Sequence, residues 1–523
     1  MSKIITAAQA AELINDGDTV AFGAAGLSGW AEEVGAAIEQ RFLDTAAPRN
    51  LHLVSNCNTG DRKERGITRL GHEGLTSSWM GAHIGFSAGI VNLMQNNLIE
   101  AHCIPQGVMV NLFREIAAGR PGLLTKVGLG TFIDPRIEGG KMNDATSRQA
   151  FKVVEFEGQE YMFYPSFPIN VALLRGTSID EHGNMTLDND GMITEQLAVA
   201  QAAKNSGGIV IAQAEYLAES GSLHPKSVKV PGILVDYIVI ATDKDACWQT
   251  EARYYEPSFA GDLRIPMDAV PAMPLDEAKV IARRAAKELI PHGIINLGVG
   301  LASNVASIAA EENVSDLVTL TTELGSIGGV PGGGQDFGCA YNPQALIEHN
   351  AMFDFIDGGG LDITFLGLAQ ADGHGNVNVS KFGRPMGTGG FINITQSTRK
   401  VVFTGTFTSG GLRTSIVDGQ LVIEQEGRRT KFLKDVEQIT FSGKMAHLDG
   451  QEVLYITERC VLQLIDGVMT VVEIAPGIDL QTQVLDLMDF QPAVAETLTV
   501  MDSALFTENW GALRSHLTAQ PHR

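Results

Sequence analysis

The sequence predicts an α/β protein of two tandem domains with similar topology and mostly parallel sheets. Three observations carry that expectation. Short apolar runs rich in β-branched residues alternate with amphipathic helical stretches along the 523 residues. An order of helix, turn, strand, glycine loop and helix at the N-terminus restarts near residue 275. A strand followed by Asp-x-His-Gly-Asn occurs twice, at 180–184 and 372–376.

Taken in order, Thr6-Ala7-Ala8-Gln9 reads as a capping box, and Ala10, Leu13 and Ile14 follow at helical spacing. Asp16-Gly17-Asp18 is turn chemistry, Thr19 to Phe22 a short strand, and Gly23 to Gly29 a loop before a helix through Val34, Ala37 and Ile38. Val171 to Asp180 is a long apolar strand leading into the first Asp-x-His-Gly-Asn turn. From Thr242 to Pro274 periodicity fades, and Pro257, Pro266, Pro271 and Pro274 imply a stiff connector. The inter-domain boundary is expected near 262–274, giving domains 1–265 and 266–523. Leu275, Ala278, Ile281, Ala282, Ala285 and Leu289 then mark an amphipathic helix. Pro291-His292-Gly293 breaks it, Ile294 to Leu297 is a strand, and Gly298-Val299-Gly300 opens a loop before Ala302 and Val305. Ile363 to Gly367 and the second Asp-x-His-Gly-Asn complete the echo. A repeat this long means two like domains, not a solenoid.

Composition narrows the function. Hydrophobic residues at 44% and charged residues at 19% fit a compact folded protein. Acidic residues outnumber basic ones 61 to 38, for a net charge of -23, which argues against a nucleic-acid surface. The five cysteines are scattered without a C-x-x-C pair, so neither a disulfide framework nor a zinc site is expected. No secretory pattern opens the chain and no apolar run is long enough to span a membrane, so a cytoplasmic protein is expected.

The strongest chemical feature is Leu317-Val-Thr-Leu-Thr-Thr-Glu323, followed by six glycines within the eleven residues from Leu324 to Gly334. A strand ending in a carboxylate places that group where open α/β sheets bind ligands. Glycine-rich backbone beside it admits a bulky ligand and offers N–H groups to an oxyanion. A carboxylate can itself be an acyl-accepting nucleophile. By spacing alone, such a glutamate is more often a solvated strand end. Gly387-Thr-Gly389-Gly390-Phe-Ile-Asn393 reads as an oxyanion nest or a plain loop before a strand. Gly298-Val-Gly300-Leu-Ala-Ser303 lacks the third glycine of a dinucleotide fingerprint, and Gly23, Gly26 and Gly29 have the wrong spacing. The twelve histidines show no metal spacing, and there is no G-x-S-x-G nucleophile elbow.

These motifs occur in an order that resembles the class I coenzyme A-transferases. The order runs Gly23–Gly29, Pro105-Gln106-Gly107, Asn296–Gly300, Glu323-Leu324-Gly325, Leu361–Gly367 and Gly387–Gly390. The closing Glu473-Ile-Ala-Pro-Gly-Ile-Asp-Leu-Gln and Met488-Asp-Phe490 are similar to the acetate/propionate branch, in which both halves are fused. The resemblance implies two tandem CoA-transferase-like domains and a ping-pong transfer of coenzyme A from an acyl-CoA to a free, short-chain carboxylic acid. It implies Glu323 as the nucleophile, forming a glutamyl-CoA thioester. Gly389 and Gly390 match the loop giving oxyanion donors, and Gly26 and Gln106 match positions facing the site between the domains. Gly298, Gly300 and Lys381, with Arg384 near it, are the expected coenzyme A contacts. Leu324 stands where many relatives carry asparagine or a small residue, which bears on the acyl pocket. No metal or cofactor beyond coenzyme A as substrate, a homo-oligomer, and neither a nucleic-acid nor a membrane partner are expected. An acyl-CoA hydrolase using the same glutamate, or a non-catalytic acyl-CoA sensor, are the alternatives.

Overall fold

The computed structural model describes residues 3–57, 59–266 and 272–519. The N-terminal capping box forms: Gln9 N donates to Thr6 Oγ1 at 3.2 Å and Thr6 N to Gln9 Oε1 at 2.9 Å, starting helix α1 (Ala7–Glu12). Strand β1 (Thr19–Phe22) follows the turn, and helix α2 (Glu32–Thr45) follows the glycine loop.

Seven parallel strands make the body of the first sheet, which among the described residues has nine strands in all, the other two being the short antiparallel Met185–Thr186 and Val228–Val230. The seven are β1, β2 (Leu51–Val54), β3 (Thr76–Gly81), β4 (Glu100–Cys103), β5 (Val171–Asp180), β6 (Ile209–Ala218) and β7 (Tyr237–Ile240). Their order is β4-β3-β2-β1-β5-β6-β7. β5 is buried almost throughout, as a parallel strand covered on both faces should be. Helices α3 (Gln106–Ala117) and α4 (Gln196–Asn205) pack against each other on this half.

The second half repeats the plan. Helix α5 (Glu277–Ala286), strand β8 (Ile294–Leu297), helix α6 (Asn304–Glu311) and strand β9 (Thr319–Thr321) follow in order. Helix α7 (His349–Asp357), strand β10 (Ile363–Gly367), helix α8 (Phe391–Ser397) and strands β11 (Lys400–Thr404) and β12 (Glu452–Ile456) complete it. The parallel order β9-β8-β10-β11-β12 matches β2-β1-β5-β6-β7 strand for strand. Beyond β9 the second sheet continues in the short antiparallel strands Ser326–Ile327 and Ala345–Leu346, where the first has β3 and β4. Beyond β12 it adds Cys460–Ile465, Val468–Ile474 and Ala493–Val500.

The registers superimpose. Val54 pairs with Ala21, the residue before the last of β1; Thr321 pairs with Asn296, the residue before the last of β8. Asn56 in the first half therefore occupies the position of Glu323 in the second. The two cores also interlock, since Ile392 of α8 joins the first-half core and Val110 of α3 joins a second-half core.

The repeated turn is structural in both copies. Asp180 Oδ1 accepts from His182 N and Asn184 N, at 3.0 and 2.9 Å, and Oδ2 from Asn184 Nδ2 at 2.8 Å. Asp372 repeats the set with His374 N, Asn376 N and Asn376 Nδ2, at 3.0, 3.1 and 3.0 Å. Asp372 is buried, so Asp372→Ala strands two buried N–H groups and should destabilise the protein by about 1–3 kcal/mol. A fall in the urea midpoint relative to wild type measures it.

One expectation is corrected: Gly387–Asn393 leads into helix α8, not a strand. Ile392 and Ile394 favour a strand locally, but Thr395 and Thr398 donate their hydroxyls back to Phe391 O and Ile394 O, and the apolar side chains find cores on both sides. The strand expected from Leu317 is shorter, because Ser315–Leu317 is a single 3-10 turn. The boundary expected near 262–274, and with it the division into 1–265 and 266–523, crosses residues 267–271, which lie outside the described residues. Among the described residues no helix is long and apolar enough to cross a membrane, and no cluster suits a metal ion. All five cysteines are buried and free.

Candidate active site

Glu323 stands two residues beyond β9, at the carboxyl end of the sheet. A tight turn aims it: Gly325 N donates to Thr322 O at 3.1 Å, Thr322 N to Ser326 O at 3.0 Å, and the Thr322 hydroxyl to Gly338 O at 2.9 Å. Gly325 sits at φ 103°, and a Cβ there would lie 2.2 Å from Ile347 O, so only glycine closes this turn. Glu323 is half-buried, with its carboxylate ringed by protein. Burial pushes its pKa up from the ordinary carboxylate value to about 7, opposed by His349, the Gln106 side chain and the Gly390 N–H.

The groups holding this carboxylate come from both halves. Pro105 and Gln106 open helix α3 after β4, and Gln106 N donates to Gly389 O at 3.1 Å across the domain junction. Gly107 N donates to Asn393 Oδ1 at 3.0 Å, and Asn393 is held by the Asp357 carboxylate at 2.9 and 3.0 Å. The Gln106 side chain hydrogen-bonds Glu323, and its Nε2 lies 2.9 Å from His349 Nε2. On the other side of that ring, Nδ1 lies 2.8 Å from Glu195 Oε2, with both side chains fully buried. Contacts on both ring nitrogens fix the orientation of the imidazole. His349 begins α7, where its own N–H donates to Ile193 O at 2.9 Å. The relay Glu323–Gln106–His349–Glu195 thus crosses the junction three times. Asn56 Oδ1, Gln106 Oε1 and Glu195 Oε1, all around it, find no donor within the protein. So many unpartnered buried acceptors in one place suit a site shaped for a ligand.

A family model described as Coenzyme A transferase matches residues 4–241. The chain is 57% identical over 519 residues to a caffeate CoA-transferase of Acetobacterium woodii, covering 98% of this chain and 99% of that protein. It is 40% identical over 507 residues to the acetate CoA-transferase YdiF of Escherichia coli O157:H7, covering 97% and 95%. The chain belongs to the coenzyme A-transferase family.

The fold agrees: the crystal structure of YdiF superimposes with a TM-score of 0.92 over 98% of this chain and 97% of that one, at 39% identity. YdiF was also solved as a thioester complex with CoA, which matches with a TM-score of 0.91. This CoA-transferase accordingly moves coenzyme A from an acyl-CoA to a free carboxylic acid.

In the transferase, the residues singled out from sequence divide by position. Gly390 stands directly against the nucleophile candidate: a Cβ there would lie 2.7 Å from Glu323 Oε2. The Gly389 N–H is spent on Ala82 O at 3.0 Å, so of the two glycines Gly390 is the one that donates to Glu323, while Gly389 fixes Gln106 through its carbonyl. Two cavities meet here and share Gly334 and Phe337. One is lined by Glu323 with Asn296, Gly298, Ser303 and the Pro331–Gly334 turn. The other is lined by Gly26, Cys57, Phe86 and Leu324. Gly300 lies on the exposed rim beside Val299, which is 55% exposed. Lys381 stands half-buried on the hairpin of Lys381–Phe382 and Arg384–Pro385 that leads into Gly387.

His349, Glu195, Asn56 and Cys57 belong to the site and carried no local signal. Burial and the carboxylates of Glu323 and Glu195 push the Cys57 thiol well above its ordinary pKa, so it lines the site as a neutral thiol, not a rival nucleophile.

Proposed function

We propose that Glu323 is the nucleophile of a ping-pong transfer through a glutamyl-CoA thioester. Its carboxylate oxygen attacks the acyl-CoA carbonyl carbon, the C–S bond breaks, and CoA thiolate leaves an acyl-glutamyl anhydride. The thiolate then attacks the Glu323 side-chain carbonyl and releases the first acid, leaving CoA on Glu323. An incoming carboxylate attacks that thioester and expels thiolate, which takes the new acyl group and frees Glu323. Observations supporting the reading converge on one carboxylate. Glu323 has the Gly390 N–H and the Gln106 side chain as hydrogen-bond partners, at the meeting point of two cavities. In this reading, the cavity with Gly298 and Glu323 receives the pantetheine arm and the one with Gly26 and Leu324 receives the acyl group. Gly390 and Gln106 then hold the charge that builds on the attacked carbonyl oxygen. Gly300 at the rim and Lys381 face the nucleotide end, where a cation suits the phosphates. The relatives' names, caffeate and acetate, leave acyl size open. Short-chain acids are the proposed class. Dependence of acyl-CoA consumption on an added acid separates transfer from hydrolysis.

The pH dependence follows from the same carboxylate. Only ionised Glu323 attacks, and burial holds it protonated up to about 7. The single-turnover loading rate should therefore rise about tenfold for each pH unit below 7 and level off above it. His349 opposes the burial effect and fixes Gln106. His349→Asn should move that profile to higher pH and cut loading at pH 7 roughly tenfold, with little change in KM for acyl-CoA. An unmoved profile would show that His349 only fills space.

A homo-oligomer and a cytoplasmic location complete this reading; light scattering tests the first. Five free buried cysteines support a reducing compartment.

A further inference from the structure

The cavity that includes Gly26 and Leu324 is mostly apolar, walled by Phe86, Met192, Leu324 and Phe337, yet Glu251 also lines it. Glu251 is 6% exposed. Its Oε1 is engaged, accepting from Gln335 Nε2 at 3.2 Å and lying 3.7 Å from Arg62 Nε. Its Oε2 is buried and accepts no hydrogen bond. Among the described residues no surrounding donor reaches Oε2. The Thr250 hydroxyl donates to Asp336 Oδ1 at 2.7 Å, and the Arg62 guanidinium stacks over Phe86 at 4.0 Å while remaining 52% exposed. A buried carboxylate oxygen without a donor is costly, and apolar walls cannot supply one. The donor has to arrive with whatever fills the cavity.

We infer that Glu251 is a specificity-determining residue that accepts a hydrogen bond from a hydroxyl carried on the substrate's acyl group, so that the preferred acids are hydroxy acids. This rests on the reading that Glu323 attacks the acyl carbonyl, because Leu324, its chain neighbour, is what brings this cavity to the reacting centre. Leu324, Phe86 and Phe337 hold the carbon skeleton, and Glu251 reads its substituent. A site built to bond a hydroxyl discriminates against the analogue lacking it, because the carboxylate oxygen is then left unpaired.

The test uses the full-length protein, first loaded with CoA from acetyl-CoA. Acceptor kcat/KM is then compared within two matched pairs, 4-hydroxycinnamate against cinnamate and 3-hydroxybutyrate against butyrate. The expected result is a preference of about tenfold or more for the hydroxylated acid in one pair, which also tells a phenolic from an aliphatic hydroxyl. In Glu251→Leu that ratio should collapse toward one. Equal treatment of both pairs by the wild type would overturn the inference and leave a water as the partner of Glu251. Survival of the preference in Glu251→Leu would overturn it too. Should that variant not fold, the wild-type ratios alone decide. Failure of acetyl-CoA to load the wild type is seen before any acid is added and overturns the parent reading.

Discussion

Glu323→Gln should abolish turnover, lowering kcat on the order of 10,000-fold or more, as loss of a covalent nucleophile does. The amide keeps the shape of the side chain and its contacts with Gly390 and Gln106, but it cannot form the anhydride. The same substitution makes a prediction independent of activity. Burial raises the pKa of Glu323 from the ordinary carboxylate value to about 7. Between these two pH values the folded protein binds more protons than the unfolded chain, so stability falls as pH rises through this window. Above it, an ionised buried carboxylate weighs fully against the fold. Glu323→Gln removes that load and should be more stable than wild type at pH 8, with the advantage shrinking toward pH 4.5. Thermal unfolding at the two pH values reads it directly. An advantage that does not grow with pH would show that Glu323 is ordinarily solvated.

Gly390→Ala is expected to have the next largest effect. A Cβ at 390 would lie 2.7 Å from Glu323 Oε2, closer than real Cβ atoms approach, and a tight 3.0 Å from its side-chain carboxyl carbon. The backbone at Gly390 is right-handed, φ -79°, so alanine fits the local conformation and the fold should survive. What yields is the carboxylate or the N–H that faces it. Losing one backbone donor to a developing oxyanion costs about 3–4 kcal/mol, and displacing the nucleophile adds to that. A fall in kcat of roughly 100- to 1,000-fold or more is expected, with circular dichroism unchanged. Activity within a few-fold of wild type would remove Gly390 from the reacting centre.

Much of this was legible in the sequence because local chemistry and tertiary context agree. The capping box at Thr6, the strand Thr19–Phe22 and both Asp-x-His-Gly-Asn turns form where their residues predict. Glu323 was legible because a β-branched strand ends near it and glycines follow. Helix α8 was not, since Ile392 and Ile394 are held helical by packing that joins both halves. The relay was not either. His349 lies 154 residues from Glu195 and 243 from Gln106, so no spacing rule could associate them. Asn56 became recognisable only when the strand registers showed it in the place that Glu323 holds in the other half. Glu251 lies within a stretch without periodicity, and its importance lies in an oxygen left without a donor, which no sequence pattern records.

The most direct test is intact-mass measurement after mixing the protein with acetyl-CoA, followed by borohydride treatment and peptide mapping. A covalent CoA adduct that borohydride removes, with the reduced product mapped to Glu323 and absent from Glu323→Gln, is the predicted result. An adduct on another residue, or none with any acyl-CoA while acid-dependent transfer proceeds, would contradict Glu323 as the nucleophile.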